Sequence, residues 1–416
     1  MSAVLMRSTR DVDPALVVIL AGVSAALHVG KLSPALPVLR DALGVTLLQA
    51  GFLLSLVQLA GMTLGLAVGL AADGLGLKRS MLAGLLVLAL ASLLGGWARD
   101  PQTLLLLRAV EGFGFLLVSM PAPSLIRHLV SARRMSAMLG WWGAYMPLGT
   151  ASALLCGPLV ITWAGWQAWW WGLAVLTLIM GLWLWRVVPP DQVRAASQVA
   201  SAAATQAERA SSWLHRLQQT LRSRGPWLVA LSFAMYSSQW LAVIGFLPTI
   251  YAQAGVTAGT TAVLTALVAA VNMVGNIASG RLLTRGVRPQ TLLYVGFGVM
   301  GLGTLAAFMT WPLLSGGVGA PALLRFVAVL LFSMLGGMIP GTLFSMAVHL
   351  APSERTVSTT VGWMQQLSSL GQFAGPPLVA WVAAGVGGWQ WTWVVTGLCS
   401  LVGIALATRL GREAYR

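Results

Sequence analysis

The chain is 416 residues long, 57% hydrophobic and only 8% charged, with 25 Lys and Arg against 10 Asp and Glu. A soluble protein of that composition would expose large apolar patches, so the sequence describes an integral membrane protein. The formal charge of +15 is no nucleic-acid signal, because the basic residues fall singly or in short clusters between long apolar runs.

The first apolar run follows MSAVLMRSTRDVD and has no small-residue cleavage site at its end, so it is expected to be a retained helix and not a signal peptide. Twelve segments reach the roughly 20 residues that a bilayer requires. They lie near 14–36, 46–72, 80–98, 102–124, 135–160, 166–187, 226–251, 260–283, 290–311, 322–349, 357–384 and 390–408. Many are rich in Gly and other small residues, as closely packed helices in lipid require. Cys156 and Cys399 sit singly in apolar segments and read as packing residues, with no disulfide framework or thiolate metal site.

With the N-terminus in the cytoplasm, 20 of the 25 basic residues fall in or beside cytoplasmic segments, and Arg40 and Arg99 fall outside. Lys31, Arg108 and Arg325 lie within helices or at their ends. The opposite orientation would put Lys78-Arg79, Arg127 with Arg133-Arg134, and Arg409 with Arg412 on the wrong side.

The long connector from Val188 to Gly225 divides the chain into an N-terminal bundle (1–187), a cytoplasmic linker (188–225) and a C-terminal bundle (226–416). Trp213, Leu214, Leu217 and Leu221 recur at helical spacing beside Arg209, Arg216, Arg222 and Arg224. That pattern suits either a helix on the cytoplasmic leaflet or a flexible linker with a few apolar residues.

The two bundles repeat. Leu36-Pro37 followed by Gly44-Val45-Thr46 recurs at identical spacing as Leu247-Pro248 followed by Gly255-Val256-Thr257. Gly140-Trp141, Leu148-Gly149, Gly157-Pro158 and Gly165-Trp166-Gln167 reappear in order as Gly362-Trp363, Leu370-Gly371, Gly375-Pro376-Pro377 and Gly388-Trp389-Gln390. Two six-helix units repeated in parallel suit a carrier whose halves rock around a central site.

Charge inside the membrane marks candidate functional residues. Glu111 is the sole carboxylate within a membrane-length segment, and Arg108 shares its helical face three residues earlier. The pair is either a static packing element or a proton site in which Glu111 is the acceptor. His28 and Lys31 are likewise three apart on the first helix. Lys31 either snorkels outward or faces the cavity as a positive charge for an anion.

The seventh helix carries a polar interruption at Tyr236, Ser237, Ser238, Gln239 and Trp240. The eleventh carries Gln365, Ser369 and Gln372 on one face. Asn272 and Asn276 on the eighth either glue helices together or touch substrate. Of 19 Trp, most fit the interfacial belt, but Trp141, Trp142 and Trp363, with Tyr145, are candidates for a cavity wall.

At the junction of helices two and three the chain reads G-L-A-A-D-G-L-G-L-K-R, Gly69 to Arg79, and the second half carries G-R-L-L-T-R-G, Gly280 to Gly286. The first resembles the signature G-x-x-x-D-R-x-G-R-R of the major facilitator superfamily, with Gly74 where the first Arg is expected. Arg108 with Gly112 resembles the family's fourth-helix Arg motif, and the two G-W-Q turns its G-W-R. Tyr236 to Thr257 and Met364 to Val379 are similar to cyanate-permease-like members. That branch commonly has N-x-R-P in its first helix, and here AALHVGKLSP lacks the Arg. The resemblance implies a gating role for Asp73, Lys78, Arg79 and Arg285 through charge contacts at the cytoplasmic surface, with Arg133 or Arg134 as a partner for Asp73. The alternative for Asp73 is a solvated helix cap.

Enzyme motifs are absent: no paired intramembrane acids, no metal-ligand cluster, no phosphate-binding glycine loop. Neither cofactor nor ATP is expected, so coupling must come from a gradient or from exchange. The sequence therefore predicts an all-α membrane protein with the twelve-helix major facilitator fold in the bacterial inner membrane, monomeric, both termini cytoplasmic. It is expected to move a small anion with proton coupling by alternating access. An efflux carrier for an amphipathic or drug-like compound and a non-transporting sensor are the alternatives.

Overall fold

A computed structural model describes residues 12–191, 206–309, 321–353 and 356–414, and they are helical almost throughout. Among the described residues ten helices are long and apolar enough to cross a membrane. One of them, Tyr145–Val187, runs 43 residues and is interrupted at Gly165, whose φ of 84° is left-handed. At about 1.5 Å per residue it would otherwise be about twice as long as the hydrocarbon core is thick, so it supplies two crossings. Val357–Val386, 30 residues long and studded with Gln and Ser, completes twelve spans.

The first span comprises Pro14–Gly30 and Leu32–Leu43, the second Leu47–Ser55 and Leu59–Leu75 joined by a 3-10 turn, and the third Leu77–Gly95. The fourth is Pro101–Ser119 continued by Ala122–Leu129. Ala132–Gly143 leads into the fifth, and the sixth ends at Val187. After the connecting helix Gln206–Arg222 come Arg224–Gln253, Ala258–Ala270 with Asn272–Thr284, Pro289–Phe308, Ala322–Gly336 with Met338–His349, Val357–Val386 and Thr392–Ala414. An even number of crossings puts Pro14 and Ala414 on one face, here the terminal face. The opposite one is the distal face.

The repeated sequence motifs are turn chemistry. Gly44 (φ 65°) and Gly255 (φ 76°) both adopt the left-handed conformation that glycine permits. Two residues later Thr46 and Thr257 cap the next helix, accepting from the backbone N–H of Gln49 and Thr260. Helix starts elsewhere use the same logic: Asp13 and Asp100 precede Pro14 and Pro101 and accept from the first turn. The first helix runs on to Leu43, beyond the expected end near residue 36: Pro37 lies inside Leu32–Leu43, and the helix continues past it without that residue's N–H bond. Of the two linker alternatives, Gln206–Arg222 takes the helical one.

Within the first six spans Val17, Met81, Leu85, Leu88, Phe115, Leu125 and Leu184 form one core. Within the last six Phe233, Phe297, Phe332, Ile339 and Leu343 form another. A third crosses between them near the distal face, joining Leu36, Leu39, Leu53 and Leu54 to Ala242, Phe246, Val379 and Ala380. Apolar side chains such as Leu302 and Leu323 stand exposed on the outer surface, the pattern of a lipid-solvated protein.

Candidate functional site

Four side chains predicted from the sequence converge within the first six spans. His28, Lys31, Arg108 and Glu111 are all at most 2% exposed. Glu111 lies ten residues into the fourth span, about 15 Å along it. Its Oε1 accepts a hydrogen bond from Lys31 Nζ, and its Oε2 accepts from Arg108 Nη1 at 2.7 Å. Lys31 therefore neither snorkels nor stands free. Its ammonium also donates to Ser92 Oγ at 3.0 Å and sits 4.7 Å from the centre of the Trp170 ring, a hydrogen bond to the third span and a cation–π contact with the sixth.

Arg108 binds backbone as well as carboxylate. It donates to the carbonyls of His28 (2.5 Å) and Val29 (3.1 Å), and through Nε to Leu53 O at 2.9 Å. Those carbonyls lie beside two irregularities: the break in the first span at Lys31 and the 3-10 turn Leu56–Gln58 in the second. Helix ends leave carbonyls short of partners, and a guanidinium fork satisfies several at once. The fourth span is thereby tied to the first and second at the points where those two bend.

His28 Nε2 is 2.7 Å from Thr177 Oγ1, while Nδ1 has no hydrogen-bond partner and lies 4.0 Å from Glu111 Oε1. A packing crevice too small to admit a water molecule adjoins the cluster, lined by Leu32, Leu104, Leu107, Arg108, Glu111 and Trp170. Its walls are apolar and one end is ionic. With Lys31, Arg108 and Glu111 ionised and His28 neutral, the group carries one net positive charge.

The corresponding spans of the second half hold a neutral knot. The Tyr236 hydroxyl and the Asn272 amide are 3.0 Å apart, Asn272 Nδ2 donates to Ser333 O at 2.8 Å, and Trp240 Nε1 donates to Ser333 Oγ at 3.2 Å. Asn272 thus joins the seventh, eighth and tenth spans as glue. Gln239 is also committed, donating to Met235 O and accepting from Ser400 on the twelfth span.

Between the halves, the second and eleventh spans form a hydrogen-bonded seam. Gln58 Nε2 donates to Gln372 Oε1 at 3.0 Å, Gln366 donates to Met62 O at 2.9 Å and its Oε1 accepts from Leu66 N at 3.1 Å. Ser369 backs onto Gly61, where a Cβ would lie 2.5 Å from Ser369 Oγ and would have to displace that hydroxyl. Gln365 is half-buried on the same helix. Trp363 meets Trp227 edge-on at 4.8 Å, Trp142 stacks on Tyr145 at 4.2 Å, and Trp141 is largely exposed.

At the terminal face Lys78 is buried and donates to the carbonyls of Trp185 (2.7 Å) and Val188 (2.5 Å). Asp191 accepts from the backbone N–H groups of Lys78 (3.1 Å) and Arg79 (3.2 Å), capping the third span from a position 112 residues beyond Arg79. Sequence reasoning missed Asp191. Its signal was an acidic residue directly after Pro189-Pro190 at the end of the sixth helix. Arg134 pairs at 2.5 Å with Asp13. The expected partnership of Asp73 with Arg133 or Arg134 falls on side chains outside the described residues, those of Asp73 and Arg133. Arg285 is exposed at the end of the eighth span.

Solved structures with the same fold include a bacterial homologue of the human lysosomal transporter Spinster in an inward-facing, occupied conformation (TM-score 0.75, 16% identity, 96% of both chains). The D-xylose-proton symporter superposes with a TM-score of 0.71 at 16% identity over 95% of this chain and 96% of that one. Among curated proteins, the chain is 34% identical to the puromycin resistance protein of Streptomyces alboniger over 134 residues, 32% of this chain and 27% of that one. It is 24% identical to a probable 4-methylmuconolactone transporter of Cupriavidus pinatubonensis, over 62% of this chain and 60% of the relative. It is 27% identical to plastidic glucose transporter 4 of Arabidopsis thaliana, over 76% and 63%. The chain thus spans between 27% and 63% of the length of these relatives. The sequence model of the Major Facilitator Superfamily matches residues 15–367, and with the twelve-span fold this makes the chain a member of that superfamily, a multi-pass membrane protein.

Proposed function

We propose that this protein is a transporter that moves a small anion together with a proton, by alternating access. One observation carries the reading: Glu111, the one buried carboxylate among the described residues, is held between two buried cations, Lys31 and Arg108. When Glu111 takes a proton, both cations lose their counter-charge in a medium where unpaired charge is expensive. An anion entering beside them restores the balance. Loading one proton and one anion leaves the cluster at its original charge, whereas loading either alone does not. Proton and anion binding are therefore mutually favourable, which is the thermodynamic requirement for symport.

His28, between Thr177 and Glu111, is positioned to pass the proton. The apolar side chains beside the cluster, Leu32, Leu104, Leu107 and Trp170, favour an organic anion with a compact apolar body over a highly hydrated inorganic one once the halves part. Opening towards the distal face requires Leu36, Leu39 and Leu54 to part from Phe246 and Ala380, and the seam between the second and eleventh spans is the axis about which the halves rock. At the terminal face Lys78, Arg79 and Arg285, with Asp73, serve as the gating contacts. We place that face in the cytoplasm of a bacterial inner membrane, supported by its excess of basic residues, and take the transporter to act as a monomer. The likeness of Tyr236–Thr257 and Met364–Val379 to cyanate-permease-like members agrees with an anionic substrate.

The test is transport in proteoliposomes. Imposing an inward gradient of small organic acids should drive measurable proton uptake that disappears in Glu111→Gln. Proton movement unaffected by any anion would refute the reading. A second reading, efflux of an amphipathic compound, is favoured by the puromycin resistance relative and by the stacked Trp142–Tyr145 pair. It predicts puromycin-driven proton flux in the same vesicles.

A further inference from the structure

At the terminal face, well away from the charge cluster, three elements frame an open cavity of about 480 Å³. Arg222 comes from the end of the connecting helix, Arg224 and Trp227 from the start of the seventh span, and Arg409 and Arg412 from the end of the twelfth. Four guanidinium groups face one carboxylate, Glu413. None of the five takes part in an ion pair among the described residues. Concentrating like charge in a concave site is unfavourable unless an anion occupies it.

The level of the cavity identifies the anion. It lies where the connecting helix and the twelfth span end and the seventh span begins, the depth of the headgroup layer. Trp227 forms part of its wall, its indole N–H donating to Leu221 O at 2.8 Å and its ring against Trp363. Tryptophan at a helix end is the residue of the membrane–water boundary. Arginines in a pocket between membrane helices, facing an anionic leaflet, match phosphate headgroups, and the guanidinium fork binds phosphate oxygens in pairs.

We propose that this cavity binds the phosphodiester headgroup of an anionic phospholipid from the adjacent leaflet. The bound lipid ties the connecting helix to the twelfth span, so the linker between the two halves is held by lipid as well as by protein. No residue of the Lys31–Glu111 cluster takes part, and the proposal stands whatever the transported substrate.

The experiment uses the full chain in vesicles of phosphatidylcholine, with and without phosphatidylglycerol, and counts retained lipid by native mass spectrometry after extraction. Phosphatidylglycerol should be retained in preference to phosphatidylcholine. Arg409→Gln/Arg412→Gln should weaken retention about 25-fold, at about fivefold for each guanidinium removed. Arg409→Lys/Arg412→Lys, which keeps the charge, should retain most of it, and Arg288→Gln, an exposed arginine elsewhere on the same face, should change little. Equal retention of the two lipids, an Arg288→Gln loss as large as that of the double variant, or displacement of the lipid by millimolar inorganic phosphate would each overturn the proposal.

Discussion

Lys31 on the first span donates to Glu111 on the fourth across 80 residues of chain, and the same carboxylate accepts from Arg108 one helical turn away. One acid therefore serves two bases in a setting without bulk water. Glu111→Gln keeps the shape but leaves both cations without a counter-charge. Breaking a buried pair from one side destabilises by about 3–5 kcal/mol, and a fall of the thermal midpoint in detergent should report it. Transport should become independent of external pH. Adding Lys31→Met to Glu111→Gln should recover much of the stability without the coupling. A double variant as unstable as the single would mean that Lys31 is held mainly by Ser92 and Trp170.

Arg108→Lys separates charge from geometry. Lysine keeps the positive charge but cannot bridge the His28, Val29 and Leu53 carbonyls and Glu111 together. Losing one or two of these buried bonds should cost about 1–3 kcal/mol each. The loss should appear locally, as faster hydrogen exchange at the break between Gly30 and Leu32. Exchange there matching that of the native chain would show that the break does not depend on the guanidinium.

The seam between the halves yields a different expectation. Gln372→Leu removes the acceptor for Gln58 and leaves an amide unpaired where the second and eleventh spans meet. The halves should separate more readily, shifting the balance between open states while each half stays folded. Cysteine labelling at distal positions such as Leu39 should accelerate severalfold, with a thermal midpoint only slightly lower. Unchanged labelling would show that the apolar contacts of Phe246 alone hold the distal side closed.

How much of this was legible in the sequence follows the range of the interaction. The spans and the Arg108–Glu111 pair are local, set by apolar length or i,i+3 spacing, and both could be read directly. Lys31 could not. Nothing in its own helix says whether it meets the outer surface, a cavity or the third and sixth spans, and that depends on which face of the first span turns inward. Gln239 and Gln372 were legible as polar residues at membrane depth, but their partners, Ser400 and Gln58, come from other spans. Asp191 was the hardest, since its partners are backbone N–H groups, which leave no trace in sequence.

Acid should weaken the start of the fourth span. The Asp100 carboxyl accepts from the backbone N–H and the hydroxyl of Thr103, and the N–H bond above all holds its pKa below the usual carboxylate value. A group depressed in the folded state stabilises fully above its unfolded value, near 3.9, and loses that contribution as pH falls through the lower folded value. Between about pH 4 and pH 2 the native chain should therefore lose more thermal stability than Asp100→Asn, whose cap does not titrate. Parallel curves would rule out the cap as the source.

Asp191 offers the sharpest test of the terminal face. Its carboxylate receives the N–H groups of Lys78 and Arg79 at the start of the third span, where the helix dipole favours negative charge. Gly76, at φ 94°, brings the chain so close that a Cβ there would lie 2.5 Å from Asp191 Oδ2. Asp191→Ala should cost about 1–2 kcal/mol, within the range for a lost helix cap, and Asp191→Asn less, because the amide oxygen still accepts. If the Lys78–Arg79 turn takes part in gating, transport should fall more steeply than stability, with Asp191→Asn between the native chain and Asp191→Ala. Transport that simply tracks the folded fraction in both variants would assign the turn to structure alone.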